Sequence, residues 1–270
     1  MKKILIIGKN SYVGKSLESW LGDDSDRYTL DSISVRDDSW RRKDFSDYDV
    51  VFHVAAMVHQ KERPEMENLY YEINRDLPVE VAKRAKEAGV KQFIFMSTMA
   101  VYGEEGRIDQ EVVITRETRP NPKTFYGKSK FEAECELQKL SNEGFKIVIT
   151  RPPMIYGPNC PGNYGKLEKL AKKIIVFPMI QNERSMIHID ELCKCLKVYI
   201  DINAEGIFLP QDNQYVNTSI LVKKLAEESD RKIYLSKFLG WLIVVFMRKR
   251  PKVIKKVFGN LVYDNKTTNK

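Results

Sequence analysis

The sequence predicts an α/β fold: a doubly wound parallel sheet followed by a small C-terminal lobe. Short, unbroken apolar runs recur along the first half of the chain, as in strands buried on both faces of a parallel sheet. Segments of helical periodicity separate them, the alternation expected of βαβ units. The first run also ends in a glycine-bearing turn that opens a helix. A length of 270 residues suffices for one such domain and a smaller lobe.

The elements follow in order. Lys2 to Ile7 reads as a buried strand, and Gly8-Lys9-Asn10-Ser11-Tyr12-Val13-Gly14 leads into a helix marked by Val13, Leu17, Trp20 and Leu21. Strand, glycine turn and helix form the setting of a dinucleotide fingerprint, and so of a Rossmann-type sheet. Gly8 allows the tight turn, Gly14 allows close helix packing, and the helix N-terminus presents amides to a pyrophosphate. Ser11 stands where a second glycine is usual. Tyr28 to Val35 reads as the second strand, with Arg36 at its end. Val50 to Ala56 is a third, ending in small residues over which a cofactor can lie. Leu77 to Ala88 reads as a helix closed by Gly89. Lys91 to Thr98 is a strand with hydroxyls at its C-terminal end, the edge where open parallel sheets bind ligands. Gly206 to Leu209, within 206–210, is expected to return to the sheet as a late strand. The predicted division is a dinucleotide-binding domain over 1–153 and a substrate lobe over 154–270.

Chemistry enters with Tyr126 and Lys130. Four residues apart on a helix, they share a face, with Cβ atoms ~5–6 Å from each other. An ammonium at that distance favours the phenolate and makes the tyrosine a workable acid or base.

Taken together, the motifs closely resemble the extended short-chain dehydrogenase/reductase family of nucleotide-sugar epimerases, dehydratases and reductases. The matching pieces are Gly8–Gly14, His53-Val54-Ala55-Ala56, Asn74, Phe93–Gly103, Tyr126–Lys130, Arg151–Gly157 and Arg184–Asp190, in family order over about three quarters of the chain. The resemblance implies catalysis by Thr98, Tyr126 and Lys130. It implies dinucleotide contacts from Gly8, Asn10, Ser11, Tyr12, Val13, Gly14, Arg36, His53, Ala55, Ala56, Asn74, Tyr126, Lys130, Arg151 and Pro153. Substrate contacts are implied for Ser97, Thr98, Asn159, Asn163 and Arg184, the last on a pyrophosphate. It also implies a homodimer through two helices per subunit, one of them carrying Tyr126.

More narrowly, the chain resembles the capsule-polysaccharide branch. There, UDP-2-acetamido-2,6-dideoxy-hexos-4-ulose is reduced at C4 to UDP-N-acetylfucosamine or its epimer UDP-N-acetylquinovosamine. The family's dehydratases carry an Asp-Glu pair after the hydroxyl residue; Met99 and Ala100 stand there, which argues against dehydration. Arg36 suits a 2′-phosphate and so NADPH, although Asp31, Asp37 and Asp38 are close enough for a shifted register to favour NAD. Exchangeable NADPH points to a reductase. A 4-epimerase holding NAD is the alternative, and a non-catalytic dinucleotide-sensing regulator is a third reading, which predicts loss of Thr98, Tyr126 or Lys130.

The net charge of +8 is read as a basic cleft for a diphosphate substrate, its residues spread along the chain rather than clustered as for nucleic acid. Cys135, Cys160, Cys193 and Cys195 lack zinc or redox spacing, so no metal site is expected and free thiols in a reducing cytoplasm are. Met1 to Ile7 is too short for a signal peptide. His53 reads as a satisfied core histidine, His59 and His188 show no ligand spacing, and Tyr102 reads as packing beneath the site. Phe238 to Met247 is apolar and Arg248 to Lys252 basic, too short to span a membrane. The favoured reading is a lobe helix with a solvated basic end; weak peripheral membrane contact is the alternative. The tail 265–270 reads as frayed.

Overall fold

A computed structural model describes residues 1–58, 60–246 and 251–265. His59, the end of the apolar run at Met247, the basic residues 248–250 and the tail 266–270 lie outside the described residues.

The elements run β1 (Lys2–Ile7), α1 (Tyr12–Gly22), β2 (Tyr28–Ile33), β3 (Val50–His53), α2 (Glu67–Tyr71), α3 (Leu77–Glu87), β4 (Gln92–Met96) and β5 (Val113–Ile114). They continue through α4 (Phe125–Gln138), β6 (Lys146–Thr150), β7 (Met154–Tyr156), α5 (Asn163–Ala171), β8 (Val176–Pro178), β9 (Met186–His188) and α6 (Ile189–Asp201). The last are β10 (Gly206–Phe208), α7 (Thr218–Glu227), β11 (Tyr234–Ser236), α8 (Lys237–Phe246), α9 (Pro251–Phe258) and β12 (Val262–Tyr263).

Six strands form one sheet in the order β10-β6-β4-β3-β1-β2, every ladder parallel. Both faces are covered, which is why the strands read as unbroken apolar runs. Leu5, Ile7, Val51, Phe93, Phe95, Ile147 and Ile149 pack in one core with Val81 and Ala85 of α3 and Ala133 and Leu137 of α4. The chain reverses direction across the sheet between β1 and β3, so their C-terminal ends flank the switch point where such sheets bind ligands.

The chain divides into two compact units. The first comprises Met1–Gly103, Arg119–Pro153 and His188–Pro210; the second comprises Glu104–Thr118, Met154–Ile187 and Gln211–Lys270. This differs from the predicted division at two places. Helix α6, predicted in the substrate lobe, belongs to the first unit because it packs against α1, and Lys197 bonds Asp24 and the Tyr28 hydroxyl at 2.8 Å each. Residues 104–118, predicted in the first domain, join the second unit because β5 pairs with β12. The late strand is β10, beside β6. Strand β2 stops at Ile33, two residues short of expectation, since the Gly8 and Lys9 amides both take the Ile33 carbonyl.

In the second unit, β8 pairs with β11 and α5 packs on α7. Phe177 and Phe258 meet at 5.8 Å in its core. Asn265, at the head of the expected frayed tail, accepts from Gln211 at 2.9 Å.

Candidate active site

The dinucleotide turn takes the expected form with one substitution of method. Gly8 has φ +125°, and a Cβ there would lie 2.9 Å from the Ala55 amide nitrogen, so only glycine lets β1 turn against the end of β3. Ser11 has φ −73°, which needs no glycine, and its Oγ caps α1 by accepting from the Gly14 amide at 3.0 Å. The serine therefore replaces a glycine with a helix cap. Together the turn and the α1 N-terminus make a cradle of the kind that takes a pyrophosphate.

Arg36 is exposed three residues past β2, its amide bonded to Ser34. The nearby carboxylates are engaged elsewhere. Asp31 accepts from Tyr48 and pairs with Lys43, Asp37 caps the turn at Ser39, and Asp38 pairs with Arg41.

Tyr126 opens the helix α4, which is fixed at its first turn by two groups. Thr124 accepts from the Gly127 amide at 3.0 Å, and Glu62 accepts from the Phe125 and Tyr126 amides at 3.0 Å each. A carboxylate suits this end of a helix by charge as well as by hydrogen bonding. Sequence reasoning missed Glu62, which lies over sixty residues away in a loop without a motif. Asn74, buried in a π-helical turn over Glu72–Asp76, grips Met57 through both amide atoms and reaches the Ser129 hydroxyl at 3.3 Å. Ser129 in turn donates to the Tyr126 carbonyl at 3.1 Å.

Thr98 caps the short 3-10 turn after β4 by accepting from the Ala100 amide, and its side chain is close enough to the Tyr126 phenol to oppose the rise in that group. The structure thus brings Thr98 and Tyr126 together as expected. Lys130 lies below them, 1% exposed, donating to the Met96 carbonyl at 2.8 Å with its ammonium 4.3 Å from the Phe95 ring centre. Burial pulls it down from the ordinary lysine value of 10.5 to about 7. The expected tuning of the tyrosine by this lysine is not found: burial pushes the Tyr126 phenol up to about 12, opposed by Thr98. Desolvation outweighs the charge pairing that helical spacing suggested. A phenol carries its proton at neutral pH at either value, and the upward shift makes Tyr126 a weaker acid than free tyrosine.

Three further expectations are corrected. Ser97 is buried and donates to Glu134, so its hydroxyl faces the core and not a substrate. Arg151 is 5% exposed, with its guanidinium forked onto Glu134 at 2.5–3.2 Å and donating to the Tyr102 hydroxyl at 2.8 Å, so it buttresses the site from below. His53 is fully buried between Phe93 and Phe95, so its ring offers no surface to a cofactor. Nor is it a satisfied core histidine, since neither ring nitrogen has a partner among the described residues; burial and the Lys130 charge hold it down at about 3. Ala55 and Ala56 are half-buried after β3, and Pro153 is buried beyond β6.

The remaining candidates belong to the second unit. Asn159 is exposed with φ +59°, and Asn163 begins α5. Arg184 is half-buried, donates to the Gly259 carbonyl at 2.8 Å, and is lowered by burial.

Known proteins align with this arrangement. A UDP-glucose 4-epimerase from Vibrio cholerae is 30% identical, over 97% of this chain and 87% of its own length. An Escherichia coli O157:H7 4-epimerase acting on N-acetyl-α-D-glucosaminyl-diphospho-undecaprenol is 27% identical, over 85% of this chain and 73% of its own. Among solved structures, a UDP-glucuronic acid 4-epimerase from Bacillus cereus in complex with NAD superimposes with a TM-score of 0.73 at 18% identity, covering 97% of this chain and 88% of that one. Nearly all of the sheet, the glycine turn and the Thr98–Tyr126–Lys130 constellation lie within residues 4–207, the stretch that matches the NAD dependent epimerase/dehydratase family, and the chain belongs to that family.

Proposed function

We propose that the protein reduces the 4-keto group of a nucleotide sugar with NADPH, with UDP-2-acetamido-2,6-dideoxy-hexos-4-ulose as substrate in surface-polysaccharide synthesis. The observation that carries this reading is the Tyr126 phenol brought beside Thr98 at the C-terminal end of β4. Reduction of a ketone needs a proton donor at the carbonyl oxygen, and this phenol is one at neutral pH. The hydride comes from the bound dinucleotide. Its pyrophosphate fits the cradle at Gly8–Gly14, and the family resemblance would put Tyr126 and Lys130 at the nicotinamide end. Arg36 suits a 2′-phosphate by charge and geometry, since Asp31, Asp37 and Asp38 are already engaged. Arg184, Asn159 and Asn163 serve the sugar nucleotide, and a homodimer through two helices per subunit, one of them α4, completes the reading. Met99 and Ala100 supply no acid/base pair for dehydration.

A 4-epimerase with resident NAD is the second reading, favoured by the names of both the Vibrio cholerae and Escherichia coli relatives. The deciding experiment mixes protein, NADPH and the 4-keto sugar nucleotide and follows absorbance at 340 nm. Stoichiometric NADPH loss, abolished by Tyr126→Phe while dinucleotide binding persists, is expected. UDP-hexose interconversion without NADPH loss would install the epimerase, and silence in both assays would leave a dinucleotide sensor.

A further inference from the structure

Helix α8 offers a face that the second unit does not cover. Gly240 on one side is buried against the Met179 backbone, where a Cβ would collide with the carbonyl. On the opposite side Phe238, Trp241 and Val245 are 68%, 58% and 44% exposed, one above the other at helical spacing. The Phe238 and Trp241 rings stack at 6.2 Å. Exposed aromatic and aliphatic side chains in one row mark an interaction surface.

Charge identifies what the surface meets. From Arg231 to Tyr263 the sequence holds nine Lys and Arg and no Asp or Glu. The rest of the chain then carries 36 basic against 37 acidic residues, so this tract accounts for the whole positive charge of the protein. Along the sequence the basic residues are therefore concentrated in this tract, against the expectation that they are spread. Amphipathic helix α9 continues the pattern, with Ile254 and Phe258 buried and Lys255 and Lys256 on its other side.

We infer that α8 and the lysine-bearing side of α9 dock on a bilayer containing anionic lipid. At 1.5 Å per residue the ten residues of α8 extend ~15 Å, half of a ~30 Å hydrocarbon core, so the helix lies in the interface and does not cross it. Among the described residues no helix is long and apolar enough to cross a membrane. Tryptophan and phenylalanine suit the boundary between headgroups and acyl chains, and lysine and arginine suit anionic headgroups. A nucleic acid fits less well, because the face carries valine beside its aromatics and offers bases no hydrogen-bonding group but the Trp241 indole N–H. The docking is independent of which C4 reaction the first unit performs.

The test is co-sedimentation of the full chain with vesicles of phosphatidylglycerol and phosphatidylcholine, and with phosphatidylcholine alone. Binding is expected to the mixed vesicles, weakening at least tenfold between 0.1 and 1 M salt. Phe238→Ser with Trp241→Ser should abolish it without changing the melting temperature, since both side chains are exposed. Lys255→Glu with Lys256→Glu should weaken binding to the anionic vesicles alone, by about fivefold per removed cation. Failure to sediment with mixed vesicles overturns the inference. So does binding that both variants retain, a preference for single-stranded RNA over vesicles, or a dimer mass that the serine variant halves in the absence of vesicle binding.

Discussion

Replacing Lys130 with methionine should make the protein more stable and almost inactive. The ammonium is buried beneath the site with one carbonyl partner and an aromatic ring for company. Lowering a lysine from 10.5 to about 7 corresponds to about 5 kcal/mol, at 1.36 kcal/mol per pH unit. Methionine retains the length of the side chain and sheds that cost, while losing the Nζ bond and the contact with Phe95. Glu134 is not orphaned by the change, because Arg151 already pairs with it. A net gain of about 2–4 kcal/mol is expected at pH 7, or a melting temperature higher by roughly 5–15 °C. The pH dependence gives the signature. A base with a depressed value in the folded state binds more protons when unfolded, so the native protein gains stability as pH rises from 7 to 10.5. The advantage of the variant is therefore full at and below pH 7 and closes toward pH 10.5. Thermal melts of both proteins across that range make the measurement, and turnover should fall by about 10²–10⁴. A variant no more stable at pH 7, or an advantage that is constant with pH, would refute the account of Lys130 as a group retained for chemistry at the expense of stability.

Three other outcomes are expected. His53→Leu should flatten the acid limb of the stability curve: the wild-type histidine, held at about 3, is fully compatible with the fold above pH 6.5 and loses that stability as pH falls toward 3, so an unchanged acid midpoint would count against it. Glu62→Ala should cost about 1–2 kcal/mol and lower kcat by roughly tenfold, with Glu62→Gln intermediate; equal kcat in all three proteins would remove Glu62 from the positioning of Tyr126. Glu134→Ala should cost about 3–5 kcal/mol by leaving Arg151 buried and unpaired, and adding Arg151→Met should restore part of it; urea titrations that show no recovery would mean the pair is not the source.

The sheet was legible because its signals are local. Unbroken apolar runs, a glycine turn and a tyrosine four residues from a lysine are patterns within one element, whereas the end of β2 was read two residues late, which leaves Arg36 three residues past the strand. The buttress beneath the site was not legible, because Ser97, Glu134 and Arg151 meet across elements and each looks ordinary alone. Ser97 read as substrate-facing since strand alternation does not say which side carries the ligand. The direction of the Tyr126 shift was missed for the same reason: spacing places the ammonium near the phenol, but only packing sets how much water each has lost. Helix α6 was misplaced because amphipathic periodicity shows that a face is buried and not which partner covers it. The basic tract was readable by simple counting, and a charge taken over the whole chain concealed it.

The pairing of β5 with β12 has a consequence for synthesis. All the strands of the six-stranded sheet have been made once the ribosome passes Phe208. The second unit is assembled from three separated segments, and its β5 waits for a partner at Val262–Tyr263. The first unit can thus fold on the nascent chain while Val113 and Ile114 stay unpaired until the last strand emerges. A ribosome pausing within α8 would prolong that interval with apolar surface displayed, so chaperone demand should be greatest late in translation.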